Sequence, residues 1–215
     1  MPLQRHYSLL YRLCLGLDNA VRALTNHPLT SGEPNPGASV ADEPLDDAAR
    51  KHAAGLMRVN HAGEICAQGL YHGQALVSKT KALQEKMHAA AIEEGDHLQW
   101  CKQRLDELQS HTSYLNPLWY AGSFIIGAGS GLMGDKWSLG FVVETERQVI
   151  EHLASHQQQL PAEDKRSQQI LLKMQSDEDK HRQEAQDAGA MELPAPVKAV
   201  MRLTSKIMVK TAYWL

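Results

Sequence analysis

The sequence predicts an all-α protein with a four-helix bundle at its centre. Two Glu-x-x-His pairs, Glu94 with His97 and Glu178 with His181, each lie on an otherwise apolar helical face. Residues three apart project from the same side of a helix, so each pair can contact one metal ion. A carboxylate buried on such a face is costly unless it is paired or binds a metal. Bundles that hold two metal ions combine two such pairs with one further glutamate from each of two other helices.

Length and composition are those of one globular domain. The 215 residues are 43% hydrophobic and 22% charged, enough to bury a single core. The net charge of −3 lacks the basic surplus of nucleic-acid binding proteins, so we exclude that class. Three widely spaced cysteines, Cys14, Cys66 and Cys101, indicate neither a disulfide framework nor a zinc site. Because the N-terminus lacks the pattern of a secretory signal, we expect a chain that stays in the reducing cytoplasm.

The N-terminal residues 1–44 are predicted to form a helix and a flexible linker, ahead of a metal-binding domain at residues 45–215. Residues 3–26 have helical spacing, and we expect their apolar face to pack on the bundle, with a partner or membrane contact as the alternative. That face consists of Leu9, Leu10, Leu13, Leu17, Val21 and Leu24. Residues 27–44 are rich in Pro, Gly, Ser and Asn, which interrupt helices.

The first two bundle helices are predicted at residues 46–78 and 83–108. Glu64 is the metal-binding candidate of the first helix, because it shares a face with mostly apolar or aromatic residues. It precedes Glu94 by thirty positions (94 − 64). This spacing suits two antiparallel helices joined by a short turn at residues 79–83.

A further Glu-x-x-His pair, Glu85 with His88, lies on the same predicted helix as Glu94. Glu85 precedes Glu94 by nine positions, or two and a half turns, so the two acids point in opposite directions. The side of the helix that carries Glu85 also carries Asp96 and two glutamines. We therefore predict that this side is mostly solvated and that Glu85 and His88 are surface residues.

Residues 117–134 form an uncharged segment with five glycines. The segment is at the short end for a membrane span and glycine lowers helix preference, so a full crossing is not expected. Its composition is typical of a segment that lies in a membrane interface or walls an apolar tunnel, with an ordinary buried crossover as the alternative. The G-x-G-x-x-G run at residues 129–134 follows no predicted strand, so we reject a dinucleotide site.

The last two bundle helices are predicted at residues 138–160 and 162–187. Glu146 lies on the apolar face of the first, Glu144 is the solvent-side alternative, and His152 is close enough in angle to support the site from behind the ligands. The single glutamate recurs after eighty-two positions (146 − 64) and the Glu-x-x-His pair after eighty-four (178 − 94). This spacing indicates a duplicated helical hairpin.

The C-terminal residues 197–215 carry a cationic ridge without any acid. Its members recur at every fourth position: Lys198, Arg202, Lys206 and Lys210. Apolar residues lie beside the ridge, a pattern typical of a helix on an anionic membrane. Simple packing on the bundle is an equally good interpretation.

The six candidate ligands predict a site for two metal ions. One ion would be held by Glu64, Glu94 and His97, the other by Glu146, Glu178 and His181, with Glu94 and Glu178 as bridges. Carboxylates and imidazoles suit iron or manganese, and the lack of thiolates disfavours zinc. Four carboxylates balance two divalent ions, and six side chains leave coordination positions at which reduced iron can activate dioxygen for hydroxylation.

Several motifs resemble those of one known family. They are RVNHAGE (58–64), LYHGQ (70–74), NPLW (116–119), GAGSGLMGDK (127–136) and EDKH (178–181), together with the first Glu-x-x-His pair. Over residues 45–215 the chain resembles the demethoxyubiquinone hydroxylase family, ferritin-like diiron monooxygenases of ubiquinone biosynthesis. The chain departs from some members, which have a tyrosine where this chain has Leu153. A role for that tyrosine in electron or proton transfer is therefore not carried over.

The resemblance implies a site and a reaction. Carried over by position, the family's iron ligands are the same six residues, with two iron ions per chain. The implied reaction inserts one oxygen atom of dioxygen into the ring of a demethoxylated polyprenyl benzoquinol. We expect peripheral binding at the cytoplasmic face of the cell membrane, and leave open a homo-oligomer or a biosynthetic complex. An iron-storage or peroxide-handling bundle and a lipid-binding bundle without chemistry are the alternatives.

Overall fold

The computed structural model describes residues 9–215, with side chains from residue 14 onward. Residues 3–8 of the predicted first helix, and the side chains of Leu9, Leu10 and Leu13, lie outside this description. The described residues form α-helices and no strand, which confirms the all-α class. The helices are α1 (Leu9–Leu24), α2 (Asp47–Val77), α3 (Lys81–Glu107), α4 (Asn116–Leu132), α5 (Asp135–Gln159), α6 (Lys165–Asp187) and α7 (Ala195–Ala212).

The bundle consists of two helical hairpins, α2 with α3 and α5 with α6. Each hairpin packs more extensively within itself than against the other hairpin. The predicted boundaries of the bundle helices lie close to the observed ones. The structure is therefore the ferritin-like four-helix bundle that the sequence predicts, with further helices at both ends.

Side-chain caps explain where the bundle helices begin. Asp46 accepts a hydrogen bond from Ala49 N at 2.8 Å, and Asp164 accepts one from Ser167 N at 3.0 Å. Thr80 caps α3 through Leu83 N at 3.4 Å. Each cap satisfies a backbone donor that has no partner within its helix.

Glycines bring α4 into close contact with α2. A Cβ atom at Gly73 would overlap the carbonyl oxygen of Phe124, and one at Gly127 would overlap that of Leu70. Because only glycine permits this approach, the glycines serve packing between helices although they lower the helix preference of the segment. The uncharged segment is thus a helix with one side against the bundle, while Leu118 and Ile125 on its other side are exposed.

The first helix packs on the bundle, as predicted, but only part of the predicted face is involved. Ala20, Ala23 and Leu24 contact a cluster around the Tyr120 ring. Of the predicted face, Leu17 and Val21 are 68% and 58% exposed, so their predicted packing on the bundle was wrong. The small alanine side chains allow α1 to approach the aromatic rings of α4.

The segment before α2 forms no helix, as predicted, but hydrogen bonds hold it against the bundle. Asp96 accepts from Ser31 N at 3.1 Å, from Ser31 Oγ at 2.5 Å and from Gly32 N at 3.2 Å. The Trp100 indole donates to the Glu33 carbonyl. The prediction of a solvated Asp96 was wrong, because the segment covers it. The division of the chain at residue 44 stays a prediction.

The last helix is anchored at its C-terminal end. The Tyr213 hydroxyl lies 2.7 Å from His52 Nδ1, and Arg58 donates to the Tyr213 carbonyl at 2.7 Å. A Cβ atom at Gly55 would overlap the Tyr213 ring. Among residues 9–215, no helix is both long and apolar enough to cross a membrane.

Candidate metal centre

The structure brings all six sequence-predicted ligands together inside the bundle. They come from all four bundle helices: Glu64 from α2, Glu94 and His97 from α3, Glu146 from α5, Glu178 and His181 from α6. No member of the set is more than 6% exposed. Such a concentration of buried acids is costly unless cations or protons compensate it.

The cluster consists of two overlapping groups, each of a size that suits one metal ion. The first group is Glu64, Glu94, His97 and Glu178, and the second is Glu94, Glu146, Glu178 and His181. Within each group, one ligand atom per residue lies within 4.8 Å of all the others. Only Glu94 and Glu178 belong to both groups, as expected of residues that can bridge two ions.

The two shared glutamates each present one oxygen to either imidazole. Glu94 places Oε2 at 3.0 Å from His97 Nδ1 and Oε1 at 3.2 Å from His181 Nδ1. Glu178 places Oε1 at 3.4 Å from His97 Nδ1 and Oε2 at 3.7 Å from His181 Nδ1. Both carboxylates therefore span the space between the two groups.

Buried atoms without hydrogen-bond partners test whether this cluster fits a metal pair. Within the described part of the chain, Glu94 Oε1, Glu178 Oε2 and His181 Nδ1 are buried and make no hydrogen bond. An unsatisfied buried polar atom costs about 1–3 kcal/mol, so three such atoms close together indicate a site that binds a ligand. All three are metal-ligand atoms, and four carboxylates with two imidazoles fit two divalent ions. The residues present therefore fit a dimetal centre.

Proton affinities in the cluster are strongly shifted. Burial and the nearby Glu94 carboxylate raise the pKa of Glu64 well above its ordinary value, and burial and Glu178 do the same for Glu146. Burial lowers the pKa of His181, but the surrounding carboxylates outweigh this effect and raise it to about 12. The side chains therefore share protons, which metal binding would release.

The Nε2 atom of each imidazole contacts an acid that the sequence analysis did not identify. Asp177 Oδ2 lies 3.1 Å from His97 Nε2, and Glu93 Oε2 lies 3.1 Å from His181 Nε2. At these distances Nε2–H donates to the acid and Nδ1 faces the cluster. A signal was present, because the two acids are eighty-four positions apart (177 − 93), the same spacing as that of the duplicated pairs.

Tyr71 is a further contact that the sequence analysis did not assign to the site. Its buried hydroxyl donates a hydrogen bond to Glu146 Oε1. The corresponding position of the second hairpin, eighty-two positions later (153 − 71), is Leu153, which has no donor. The duplication is therefore broken here, and among the residues with described side chains Glu146 has a phenol partner while Glu64 has none.

The other acidic and histidine candidates lie outside the cluster. Glu85 and His88 are exposed, as predicted. Glu144 was predicted on the solvent side but is only 3% exposed, and it pairs with Arg147 and Gln148. The predicted exposure was therefore wrong, although the Glu144 side chain does point away from the cluster. His152, predicted to support the ligands, stacks on the ring of His156.

Comparisons with known proteins agree over nearly the whole chain. Residues 51–212 match the family described as Ubiquinone biosynthesis protein COQ7. A protein of Polynucleobacter necessarius named 3-demethoxyubiquinol 3-hydroxylase is 53% identical, over 94% of this chain and 97% of its own length. Proteins of the same name from Acinetobacter baumannii and Nitrosococcus oceani are 52% and 47% identical, each over 98% of this chain and over 100% and 99% of their own lengths. The chain belongs to the COQ7 family of ubiquinone biosynthesis proteins.

Proposed function

We propose that this protein is a 3-demethoxyubiquinol 3-hydroxylase, an oxygen-dependent diiron monooxygenase of ubiquinone biosynthesis. The single observation that carries the proposal is the buried cluster of four glutamates and two histidines, in a chain that matches hydroxylases of this name over their full length. Its substrates would be dioxygen and a demethoxylated polyprenyl benzoquinol, whose ring gains one hydroxyl group.

Two iron ions would occupy the two overlapping groups. Glu64 and His97 would hold one ion and Glu146 and His181 the other, with Glu94 and Glu178 as bridges. When bound, the iron pair supplies the activation of dioxygen that this hydroxylation requires. The even split of the two shared glutamates between the imidazoles supports this arrangement.

The protein's own groups fix the ligands. Asp177 and Glu93 accept the Nε2–H of the two imidazoles and so hold the Nδ1 lone pairs toward the centre. Tyr71 donates to Glu146 and holds that carboxylate in one orientation. A cavity of about 50 Å³ beside Tyr71 and His181 gives small molecules room next to the cluster.

Cells that lack this protein provide the decisive test. Rescue with the wild-type chain should restore ubiquinone, whereas Glu178→Ala, which removes a bridging ligand, should leave the demethoxylated quinone to accumulate. The purified wild-type protein should contain close to two irons per chain. Restoration of ubiquinone by the variant would contradict the proposal.

We further propose that the protein binds the cytoplasmic face of the cell membrane peripherally. Such a location would give it access to a substrate whose tail is nearly insoluble in water. Leu118, Ile125 and Leu132 project from α4, and Val200 and Leu203 project from α7; all five are at least 60% exposed. The basic ridge of α7 adds attraction to anionic lipids.

Vesicle binding tests the membrane proposal. Charge reversal of Arg202, Lys206 and Lys210 to glutamate should weaken binding to anionic vesicles at least tenfold, since each charge contributes about 1 kcal/mol near the surface. The control is the same reversal at three exposed lysines of other helices and turns: Lys51, Lys79 and Lys165. Equal effects of the two triple variants would contradict the proposed face.

An iron-storage or peroxide-handling bundle is not favoured. The matched relatives are named as hydroxylases, and a storage cage has no need of an uncharged α4 with exposed apolar residues. Light scattering separates the two functions, because a storage protein forms a large closed cage. Size-exclusion chromatography with specific detection, applied to a cell extract and to the pure protein, shows whether the protein forms a homo-oligomer or a biosynthetic complex.

A further inference from the structure

A mostly apolar groove opens between α1, α2 and α4, with Gln84 and His88 of α3 also in its lining. Its volume is about 490 Å³, within the range of about 300–1,000 Å³ that small-molecule sites occupy. Residues Leu15 to Leu24 of α1 form its outer wall. The groove thus suggests a role for α1, which contributes no residue to the metal centre.

Small residues create the space. Gly16 and Ala20 on α1 face Ala75 on α2 and Ala121 on α4 across the groove, and Phe124 closes one side. A Cβ atom at Gly16 would meet no atom within 4 Å. At Gly16 the groove therefore has room for a flexible apolar chain.

The described residues that line the groove carry no charge at neutral pH. His72 Nδ1 and the Tyr120 hydroxyl lie 2.9 Å apart and satisfy each other. Burial, followed by the nearby His88, lowers the pKa of His72 to about 4. Partial burial of the His88 ring also lowers its pKa. An uncharged lining of this kind lacks a cation to pair with a phosphate or a carboxylate, and its mostly apolar residues favour a hydrocarbon.

The groove lies between the proposed membrane face and the apolar cluster that contains Tyr71. At its mouth Leu17 and Ile125 are 68% and 69% exposed, next to the proposed membrane face. At its base Ala75 packs in the same apolar cluster as Tyr71, the residue that donates to Glu146. An apolar chain in the groove therefore extends from the lipid side to within one helical turn of a residue that contacts the cluster.

We propose that this groove holds part of the polyprenyl tail of the quinol, with α1 as its outer wall. The proposal rests on the proposed function, since the tail belongs to that substrate. It assigns α1 a role in substrate binding, and it makes Gly16 and Ala121 the positions that determine how much tail the groove accepts.

Photolabelling tests the groove directly and needs no turnover. The probe is a three-unit isoprenoid chain with a terminal diazirine, added to the iron-loaded full-length protein in detergent. The label should map to residues that line the groove, chiefly on α1 and α4. A demethoxylated quinone with a long isoprenoid tail should displace the probe, and the same quinone without a tail should not. Label elsewhere in the chain, or equal displacement by the tail-less quinone, would overturn the proposal.

Filling the groove provides a second test. Gly16→Trp should raise the concentration of tailed quinone needed for half displacement at least tenfold, equivalent to about 1.4 kcal/mol. Ala121→Trp should act in the same direction if the first variant folds poorly. Gly122→Trp is the matched control, because a Cβ at Gly122 also meets no atom within 4 Å and the residue does not line the groove. Equal effects at Gly16 and Gly122 would refute the tail site.

Two further outcomes separate this proposal from neighbouring ones. A phospholipid with a diazirine in its acyl chain should label the groove less than the isoprenoid probe, and equal or stronger labelling would assign the groove to lipid. Quinone profiles that exclude the hydroxylase, together with a labelled groove, would overturn the proposed function and leave the groove as an isoprenoid-binding site that serves another reaction. Normal quinone profiles with label outside the groove would overturn only the tail site.

Discussion

Asp177 and Glu93 act on the metal centre through the two imidazoles. A metal-bound histidine coordinates well only when its other ring nitrogen is held, and loss of such a partner typically costs about 10–100-fold in metal affinity. Asp177 is further held by Lys173, whose Nζ lies 2.6 Å from Oδ1. Its side chain is 15% exposed, whereas that of Glu93 is 39% exposed. The two positions should therefore differ in importance.

Asp177→Asn should weaken iron binding by roughly 10–100-fold, and Glu93→Gln by less, because water can replace the more exposed carboxylate. Competition with a chelator measures both affinities. Glu85→Gln changes an exposed acid on α3 and should leave the affinity unchanged. If Asp177→Asn binds iron as tightly as the wild type, the acid does not position His97.

His61 links stability to pH through a buried neutral ring. Its Nε2 lies 2.8 Å from Asn26 Oδ1 and its Nδ1 lies 3.4 Å from the Asn116 amide nitrogen. Burial lowers the pKa of His61 from 6.5 to about 3. Below pH 6.5 the His61 ring therefore binds a proton in the unfolded chain but stays neutral in the folded chain. The stability that His61 contributes above that pH is lost progressively as the pH falls toward 3.

His61→Gln should remove this part of the pH dependence. Glutamine can still donate to Asn26 and accept from Asn116 but does not titrate. Between about pH 7 and pH 5 the wild type should lose about 2 kcal/mol more than the variant in its free energy of unfolding. Urea unfolding at the two pH values measures the difference, and parallel losses would show that the ring is protonated in the folded protein.

Single residues were predictable from the sequence where helical period and spacing agreed. The six clustered residues satisfied both, so their positions followed without coordinates. The burial of Asp96 and Glu144 could not be predicted in this way. It depends on contacts with the segment before α2 and with the Arg147 side chain, and the helical period of the sequence does not indicate these contacts. The contact of Tyr71 with Glu146 joins two helices and likewise requires the packed structure.

At the scale of helices, the glycines of α4 are the clearest case in which tertiary packing overrides intrinsic preference. Glycine disfavours helices, so the sequence indicated an interfacial or tunnel-lining segment as readily as a packed helix. The close approach of α4 to α2 depends on which glycines face α2. Which glycines face α2 is determined by the angle between the two helices, and the composition of the segment does not predict that angle.

Replacement of either of two α4 glycines by alanine tests this explanation. Gly127→Ala should lower the free energy of unfolding by roughly 2 kcal/mol or more, because its Cβ overlaps the Leu70 carbonyl oxygen. Gly122→Ala meets no atom within 4 Å and should raise it by about 1 kcal/mol through helix preference. Thermal unfolding compares the two variants. Destabilisation of equal size would mean that helix geometry, and not contact with α2, explains the glycines.

At the scale of the whole molecule, the metal centre lies where the two hairpins meet. The duplicated spacing in the sequence predicted both hairpins and their common centre, since the ligands had to converge. The packing of residues 27–46 over α3 was not predicted, because it depends on individual hydrogen bonds such as those to Asp96. Without cations, the four buried carboxylates oppose the association of the hairpins.

Removal of iron should therefore destabilise the entire bundle and not one helix. A ligand present at about a thousand times its dissociation constant stabilises the folded state by about 4 kcal/mol. For a chain of this size, the unfolding midpoint of the iron-free protein should be lower by on the order of 10 °C. Calorimetry of iron-loaded and chelator-treated protein measures the shift. Glu178→Ala, which lacks a residue of both metal groups, should show almost no shift on addition of iron. Coincident midpoints for loaded and stripped wild-type protein would mean that the hairpins associate without any contribution from the metal pair.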